Sequence, residues 1–232
     1  MTAPEILPAE RLELRFEPRP WAFADDNRAA IDTHFAAKQK ANTALWNGRV
    51  LLAHEYSVAN GVCRGAFLET DFASFNAWRD WGRPPAAVVN CFAAAVLRGS
   101  DGGFLLGMMG AHTANAGQIY FPCGTPEPMD IVDRRVDLEH SARHELKDET
   151  GLDFEDFESE SGWLSVRLQT LAMVAKVLTA REAAETLRRR ILGYLALQAQ
   201  PELADIRIVR RTADLDPAMP LFVSAFLRHM WR

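Results

Sequence analysis

Strand-like and helix-like segments alternate along the chain after Pro84-Pro85, and this alternation constrains the fold more than any other feature. Residues 86–98 predict a strand, residues 100–103 a Ser-Asp-Gly-Gly turn, and residues 104–109 the returning strand. The further predicted segments are strands over 118–121, 163–178 and 206–210 and helices over 137–150, 179–198 and 220–231. Because strands and helices alternate, we expect an α/β fold in which helices flank a sheet.

The residues before the double proline predict a smaller α+β unit. A strand is expected over 11–17, a helix over 23–46, and two strands within 49–69 around the turn Asn60-Gly61. Thr70 or Asp71 is expected to cap a short helix that ends near Trp81. Since Pro84-Pro85 is the best boundary candidate, we predict an extension over 1–85 and a second domain over 86–232.

Local capping signals refine two of the helices in the second domain. Gly151 is expected to end the helix over 137–150. Thr179 and Glu182 have the spacing of a capping box and are expected to open the helix over 179–198.

Overall composition narrows the class of protein. The formal charge of −5 over 232 residues disfavours a protein that coats nucleic acid. Cys63, Cys91 and Cys123 are widely spaced, which favours a reducing compartment over a disulfide framework. The longest apolar stretch, residues 86–97, is too short to span a membrane, and residues 1–10 show no signal-peptide pattern. We therefore expect a cytoplasmic protein that binds neither nucleic acid nor membrane.

Acidic residues concentrate between positions 126 and 160, a window that contains 13 Asp or Glu residues and only four Lys or Arg residues. Within this window Glu145, Asp148 and Glu149 have i, i+3, i+4 spacing, which places them on one face of a helix. The apolar stripe of that helix consists of Leu138, Ala142 and Leu146. Glu145 and Glu149 lie beside the stripe, not opposite it. This favours a cleft that concentrates a hard cation over a solvated acidic surface, the alternative interpretation.

Residues 144–152, His-Glu-Leu-Lys-Asp-Glu-Thr-Gly-Leu, resemble the second half of the motif of the Nudix hydrolase family. Residues 119–124, Ile-Tyr-Phe-Pro-Cys-Gly, resemble the strand that runs into the Pro-Gly-Gly of that motif. The hairpin over 86–109 resembles the family's opening hairpin. The resemblance covers roughly residues 86–200 and implies a mixed β-sheet sandwiched between α-helices, with residues 1–85 outside it.

The resemblance also implies roles for individual residues. Glu145, Asp148, Glu149 and the backbone carbonyl near Cys123 or Gly124 would bind Mg²⁺, or Mn²⁺ in its place. Glu145, Glu149 and His144 would act in catalysis, with His144 either bracing Asp148 or merely occupying the place of the family's arginine. Glu127, His112 and Tyr120 are candidates for substrate binding, with a role in stabilising the loop equally open for His112.

Three features depart from the family motif. His144 replaces the family's arginine, and Asp148 replaces the first glutamate of a Glu-Glu pair. Six residues are inserted between Gly124 and Glu145, so that the early glutamate of the motif falls on Val136. We expect residues 125–137 to form a surface excursion.

Two functions follow from the resemblance. The first is metal-dependent hydrolysis of the diphosphate linkage in a small nucleoside diphosphate derivative, of nucleotide-sugar or ADP-ribose type. Residues 45–49 weakly resemble a segment of the nucleotide-sugar hydrolases. The alternative is a catalytically weak Nudix fold that binds a nucleotide ligand or a partner. Residues 1–85 would build part of the substrate pocket or a contact in a homodimer.

Overall fold

The computed structural model describes residues 3–232. Its helices are α1 (Ala22–Asp26), α2 (Arg28–Ala41), α3 (Phe72–Asp80), α4 (Leu138–Thr150), α5 (Ala184–Leu195) and α6 (Leu221–Met230). Its strands are β1 (Glu5–Ala9), β2 (Arg11–Phe16), β3 (Arg49–Ala59), β4 (Val62–Asp71), β5 (Asn90–Arg98), β6 (Phe104–Met109), β7 (Ile119–Tyr120), β8 (Ile131–Val132), β9 (Arg135–Val136), β10 (Phe157–Ser159), β11 (Trp163–Arg167), β12 (Leu171–Ala180) and β13 (Leu203–Val209).

The larger sheet is mixed and has the strand order β1-β11-β12-β5-β6-β13. Two short strands lie off this path, with β10 paired to β12 and β7 paired to β6. The central pair β12–β5 is parallel, and the other pairs are antiparallel. Helices α4, α5 and α6 all contact strands of this sheet, so the predicted mixed α/β architecture is confirmed.

The smaller sheet is also mixed and has the order β3-β4-β2-β9-β8. Its long hairpin, β3 and β4, turns at Asn60-Gly61 as predicted, with both residues in the left-handed region at φ 51° and 70°. Such backbone angles favour asparagine and glycine, which explains the residues at this turn. Helices α2 and α3 contact each other beside this sheet.

The two segments on either side of the double proline exchange strands. Strand β1 of the first segment pairs with β11 in the larger sheet, and the hairpin β8–β9 of the second segment joins the smaller sheet through Arg15 and Arg135. The backbone N–H of Leu51 also donates a hydrogen bond of 2.7 Å to the carbonyl of Pro126. These contacts fix residues 125–127 against β3. The division at residue 85 stays a prediction.

Aromatic side chains join α6 to the larger sheet. The ring centroids of Phe92 and Phe222 lie 5.6 Å apart, and Phe226 contacts both Phe104 and Phe121 with near-perpendicular rings. Edge-to-face pairs of this kind are favourable beyond the area that they bury. The C-terminal helix is thereby held against β5 and β6.

The caps of the predicted helices explain where they begin and end. The side chain of Asp71 accepts a hydrogen bond of 2.8 Å from the backbone N–H of Ser74 and begins α3. Asp137 accepts one of 2.9 Å from the N–H of His140 and begins α4. Gly151, at φ 72°, ends α4 in the left-handed conformation that favours glycine. The predictions for these two helices are confirmed.

Two predicted helices have different limits in the structure. The capping box of Thr179 and Glu182 is wrong, because Thr179 continues β12 and pairs with Arg98, and α5 begins only at Ala184. Long-range strand pairing overrides the local capping signal here. The helix predicted over 23–46 is divided into α1 and α2, which ends at Ala41.

The inserted residues form more structure than the predicted surface excursion. Pro128–Asp130 is a 3₁₀ turn. Strands β8 and β9, each two residues long, form a hairpin at the edge of the smaller sheet. Residues 132–135 are exposed, whereas Asp130 and Val136 are buried. Within residues 3–232, no helix is long and apolar enough to cross a membrane.

Candidate active site

Helix α4 carries the acidic residues that the sequence singled out. Its buried face includes Leu138, Ala142 and Leu146, and also Glu149, which is only 4% exposed. Glu145 lies one turn earlier and lines a cavity, whereas Asp148 points to solvent. The i, i+4 spacing of the two glutamates therefore places one at the cavity wall and the other behind it.

Gly124 lies directly against Glu145. A Cβ atom at position 124 would overlap the Oε1 atom of Glu145, so the glutamate occupies the space that a side chain would fill. Gly124 is not among the glycines with positive φ, which means that close approach is the requirement for glycine here. The 123–125 loop and α4 are thereby packed together at the predicted site.

Glu202 is a further acidic residue of the site, and sequence reasoning missed it. It precedes β13, and its carbonyl accepts a hydrogen bond of 2.7 Å from the N–H of Gly110. The side chain is turned into the cavity that Glu127 and Glu145 also line. The pairing of β13 with β6 brings Glu202 to the cleft that Gly124 and Glu145 line, and no local motif marks it.

Loss of contact with water raises the pKa values of four carboxyl groups at this site, and repulsion from neighbouring acidic groups adds to the effect. Burial raises the pKa of Glu145 to about 8, with added repulsion from Glu202 and Glu127. Burial raises the pKa of Glu149 above its ordinary range, and Glu145 and Glu202 raise it further. The pKa values of Glu127 and Glu202 are also raised, chiefly because nearby protein atoms displace water from their carboxyl groups, although both residues are exposed. Like charges gathered in a low dielectric disfavour their own ionised forms.

These four carboxylates fit a hard divalent cation. Within residues 3–232, none of them has a nitrogen of Lys, Arg or His within 4.0 Å. Carboxylate and carbonyl oxygens are the ligands that Mg²⁺ and Mn²⁺ prefer, and a bound cation would reverse the repulsion that raises the pKa values. In the described part of the chain, no three His, Cys, Asp or Glu side chains already gather around one point as ligands. The donor type, burial and charge fit the ion, and the side chains would have to converge on it.

His144 and Asp148 face each other on the exposed side of α4. The Nε2 atom of His144 lies 3.3 Å from the Oδ2 atom of Asp148, as the i, i+4 spacing predicts. Both side chains are about half exposed, so the pair adds little to stability. The proximity of His144 lowers the pKa of Glu127, against the larger opposing effect of the protein atoms that displace water from that carboxyl group.

A cleft with two lobes opens in front of the carboxylates. The larger lobe is a cavity of about 640 Å³ and the smaller one of about 380 Å³. Residues that line both lobes are Val50, Phe72, Thr113, Ala114, Glu127 and Glu202. Because Val50 and Phe72 belong to β3 and α3, the first 85 residues form part of the wall of this cleft.

The three predicted substrate residues line this cleft. Glu127 borders both lobes, His112 the smaller lobe and Tyr120 the larger one. The carbonyl of His112 accepts a hydrogen bond from the side chain of Asn42, which also fits the alternative role of this residue in holding the loop. The hydroxyl of Tyr120 accepts a hydrogen bond of 3.0 Å from Asn115. The structure brings all three to the carboxylates, and their roles stay predictions.

Trp46 is the tryptophan that meets the cleft. Its side chain is 76% exposed and borders the smaller lobe beside Glu127 and Glu202. Trp78 and Trp163 are buried, and Trp81 packs edge-on against Phe23 and His34.

Among known proteins, this chain is similar to solved structures with low sequence identity. No protein-family model and no curated protein matches the chain. Among solved structures, the pyrophosphohydrolase BsRppH of Bacillus subtilis is 16% identical over 54% of this chain, with a TM-score of 0.31. The chain spans 63% of the length of that protein.

Two further solved structures match this chain over a larger share of their own length. A MutT protein from Methanosarcina mazei is 18% identical over 62% of this chain and 94% of its own, with a TM-score of 0.37. RenU, a Nudix hydrolase from M. smegmatis, is 17% identical over 61% of this chain and 82% of its own, also at 0.37. Nudix hydrolases are thus among the structures similar to this chain.

Proposed function

We propose that this protein is a metal-dependent hydrolase that cleaves the diphosphate linkage of a nucleoside diphosphate joined to another moiety, of nucleotide-sugar or ADP-ribose type. One observation carries the proposal. Glu127, Glu145, Glu149 and Glu202 gather in and behind one cleft without a cationic partner within 4.0 Å in the described residues. A purely structural cluster of this kind would destabilise the fold, because like charges repel one another and Glu149 is buried beside Glu145.

A divalent ion at these oxygens would neutralise the phosphate oxygens, polarise phosphorus and lower the pKa of a bound water. Glu145, Glu149 and Glu202 would hold the ion, together with the carbonyl at Gly124. Asp148 would contribute through an intervening water, because its side chain points to solvent and is paired with His144. Without the ion, the acidic wall would repel a diphosphate.

The smaller lobe suits the nucleoside half of the substrate. The exposed face of Trp46 borders it, and the face of any nucleobase can stack on an aromatic ring. Glu127, between the two lobes, is placed to contact hydroxyl groups of a ribose. The larger lobe then accommodates the second moiety beyond the diphosphate.

The second candidate is a nucleotide-binding module without turnover. It is favoured by Val136, which falls where the early glutamate of the Nudix motif would stand and is only 4% exposed within the core. A buried valine supplies no ligand, so the metal site lacks the acidic group expected there. Glu127 and Glu202 supply carboxylates from other elements, which leads us to prefer the enzyme.

Turnover separates the two candidates. We expect the purified chain to release a nucleoside monophosphate from one or more members of a panel of ADP-ribose, nucleotide sugars and dinucleotides in Mg²⁺ or Mn²⁺, and to lose this activity in EDTA. Calorimetry on the same panel measures binding. Binding without release of a monophosphate in either metal would contradict the enzyme and support the binding module.

A further inference from the structure

Two arginines from the first 85 residues line the larger lobe together with the carboxylates. Arg79 lies on α3 and Arg83 on the turn that follows it, whereas Glu145 and Glu202 come from the other segment. No arginine nitrogen lies within 4.0 Å of these carboxylates in the described residues. One cavity therefore contains an acidic group and a basic group that do not neutralise each other.

Arg83 has no partner for its charge. Within residues 3–232, its guanidinium forms neither an ion pair nor a hydrogen bond, although its backbone N–H donates to the carbonyl of Trp78 at 2.8 Å. Its backbone lies in the left-handed region at φ 53°, which is uncommon for a residue with a long side chain. The residue is open to solvent, while nearby protein atoms and the charge of Arg79 lower its pKa. An anion in the cavity would relieve this repulsion.

Arg79 is held in a fixed position beside it. Its Nη1 atom donates a hydrogen bond of 3.0 Å to the Oδ1 atom of Asn115, and its guanidinium lies 5.9 Å from the ring centre of Phe75. The carboxylate nearest to Arg79 is Asp80, at 3.8 Å, and Asp80 is also bound by His34 and Lys38. This wall therefore presents more positive than negative charge to the cavity.

We propose that Arg79 and Arg83 bind a phosphate monoester on the second moiety of the substrate, separate from the diphosphate that is cleaved. Guanidinium groups match phosphate through two parallel N–H donors. Here two of them border one cavity: Arg83 has no carboxylate within 4.0 Å in the described residues, and Arg79 has only Asp80, which His34 and Lys38 also bind. The diphosphate itself belongs at the carboxylates, which neither arginine approaches within ion-pair distance. The inference rests on the proposed function and narrows its substrate class to phosphorylated nucleoside diphosphate derivatives.

The first test uses pairs of substrates that differ by one phosphate. Suitable pairs carry the added phosphate on the sugar outside the nucleoside, as in ADP-ribose and ADP-ribose 1″-phosphate, or UDP-glucose and UDP-glucose 6″-phosphate. We expect at least one pair for which kcat/KM favours the phosphorylated member by ~10-fold or more. Arg83→Gln should reduce that preference by ~10-fold, and Arg83→Lys, which retains the charge but not the two parallel donors, should give an intermediate value.

Arg228→Gln is the matched control, because Arg228 is an exposed arginine on α6 that does not line the cleft. It should leave the preference unchanged. If the parent shows no preference in any pair, or if Arg83→Gln retains the full preference, the inference is wrong, while hydrolysis of the unphosphorylated members would still support the proposed function.

The second test does not depend on turnover. Binding of inorganic phosphate is measured by calorimetry in EDTA with the parent, Arg83→Gln and Arg228→Gln. We expect the affinity to fall at least ~10-fold in Arg83→Gln alone. If the parent hydrolyses no substrate but Arg83→Gln still weakens phosphate binding, the proposed function is contradicted and the anion site is supported. Equal phosphate binding in all three proteins would overturn the anion site.

Discussion

Gly124 and Glu145 share a space that only glycine leaves open, because a Cβ atom at position 124 would overlap the carboxylate oxygen of Glu145. The loop after β7 and the acidic helix α4 are separated by the 3₁₀ turn and the β8–β9 hairpin, yet they are in direct contact here. The position of the carboxylate thus depends on a residue 21 positions earlier in the chain.

We predict that Gly124→Ala lowers kcat by ~10-fold or more while the protein still folds. The added methyl group displaces Glu145, and a displacement of about 1 Å at a reacting site can cost ~100-fold. Steady-state kinetics with a circular dichroism spectrum measures both properties. Gly193→Ala is the control, because a Cβ atom there meets nothing within 4 Å. Equal kcat in both variants would contradict the role of this contact.

Glu149→Gln is predicted to reduce Mg²⁺-dependent turnover at least ~100-fold. The substitution removes a negative charge from the metal site but preserves the shape of the side chain, so the buried packing of Glu149 is retained. Since Glu149 is buried among like charges, the thermal stability of the metal-free variant at neutral pH should equal or exceed that of the parent.

The matched control for this variant is Glu158→Gln. Glu158 lies on β10, 74% of its side chain is exposed, and it does not line either lobe of the cleft. It should therefore tolerate the same chemical change. Turnover within a few-fold of the parent for Glu149→Gln would show that Glu149 is not a metal ligand.

The stability of the metal-free protein is predicted to fall as pH rises. The folded-state pKa of Glu145, about 8, lies above its ordinary value of 4.5. Its contribution to the free energy of unfolding is therefore full below about pH 4.5 and is lost as the pH rises through about 8. Mg²⁺ should restore stability, and more so at pH 8 than at pH 6, because it binds the ionised carboxylates.

Denaturant unfolding in EDTA between pH 5 and 9 measures this effect. Other groups also titrate in this range, so the informative quantity is the difference between the parent and Glu145→Gln. That difference should grow toward high pH in favour of the variant. Parallel pH profiles for the two proteins would contradict a raised pKa for Glu145.

Local patterns were enough to predict the elements whose signals lie close together in the chain. The i, i+4 spacing predicts Glu145 and Glu149 on one helix, and Asp137 and Gly151 fix its ends within a few residues. Thr179 shows the limit of such signals, since its capping pattern is overridden by pairing with β5. Short-range spacing contains no information about which distant strand a segment will join.

The residues that sequence reasoning missed are those brought to the cleft by long-range packing. Glu202 arrives through the pairing of β13 with β6, and Arg79 and Arg83 arrive because the smaller sheet docks beside β5. Each is an ordinary charged residue in its local sequence. Counting back from His144 assigns the early glutamate of the Nudix motif to Val136. In the structure Val136 lies in the hydrophobic core.

Trp46→Ala is predicted to raise KM for a nucleoside diphosphate substrate by ~5-fold or more, with a smaller change in kcat. Loss of stacking between an aromatic side chain and a base typically costs ~1–3 kcal/mol. Leu197→Ala is the control, because Leu197 is an exposed apolar residue, 86% accessible, that does not line the cleft. An unchanged KM for Trp46→Ala would remove the tryptophan from the nucleoside site.

The last prediction concerns His144, whose Nε2 atom lies 3.3 Å from Asp148. If this pair braces the exposed end of the metal site, His144→Arg should retain turnover or raise it. An arginine holds a carboxylate with two parallel donors, and a gain of ~1.4 kcal/mol in transition-state stabilisation would appear as a tenfold rate. His144→Ala should lower kcat, because it releases Asp148. Rates for the parent and both variants in Mg²⁺ decide the matter. If arginine abolishes turnover as completely as alanine does, the imidazole itself contacts the substrate or the reacting water, and the brace is wrong.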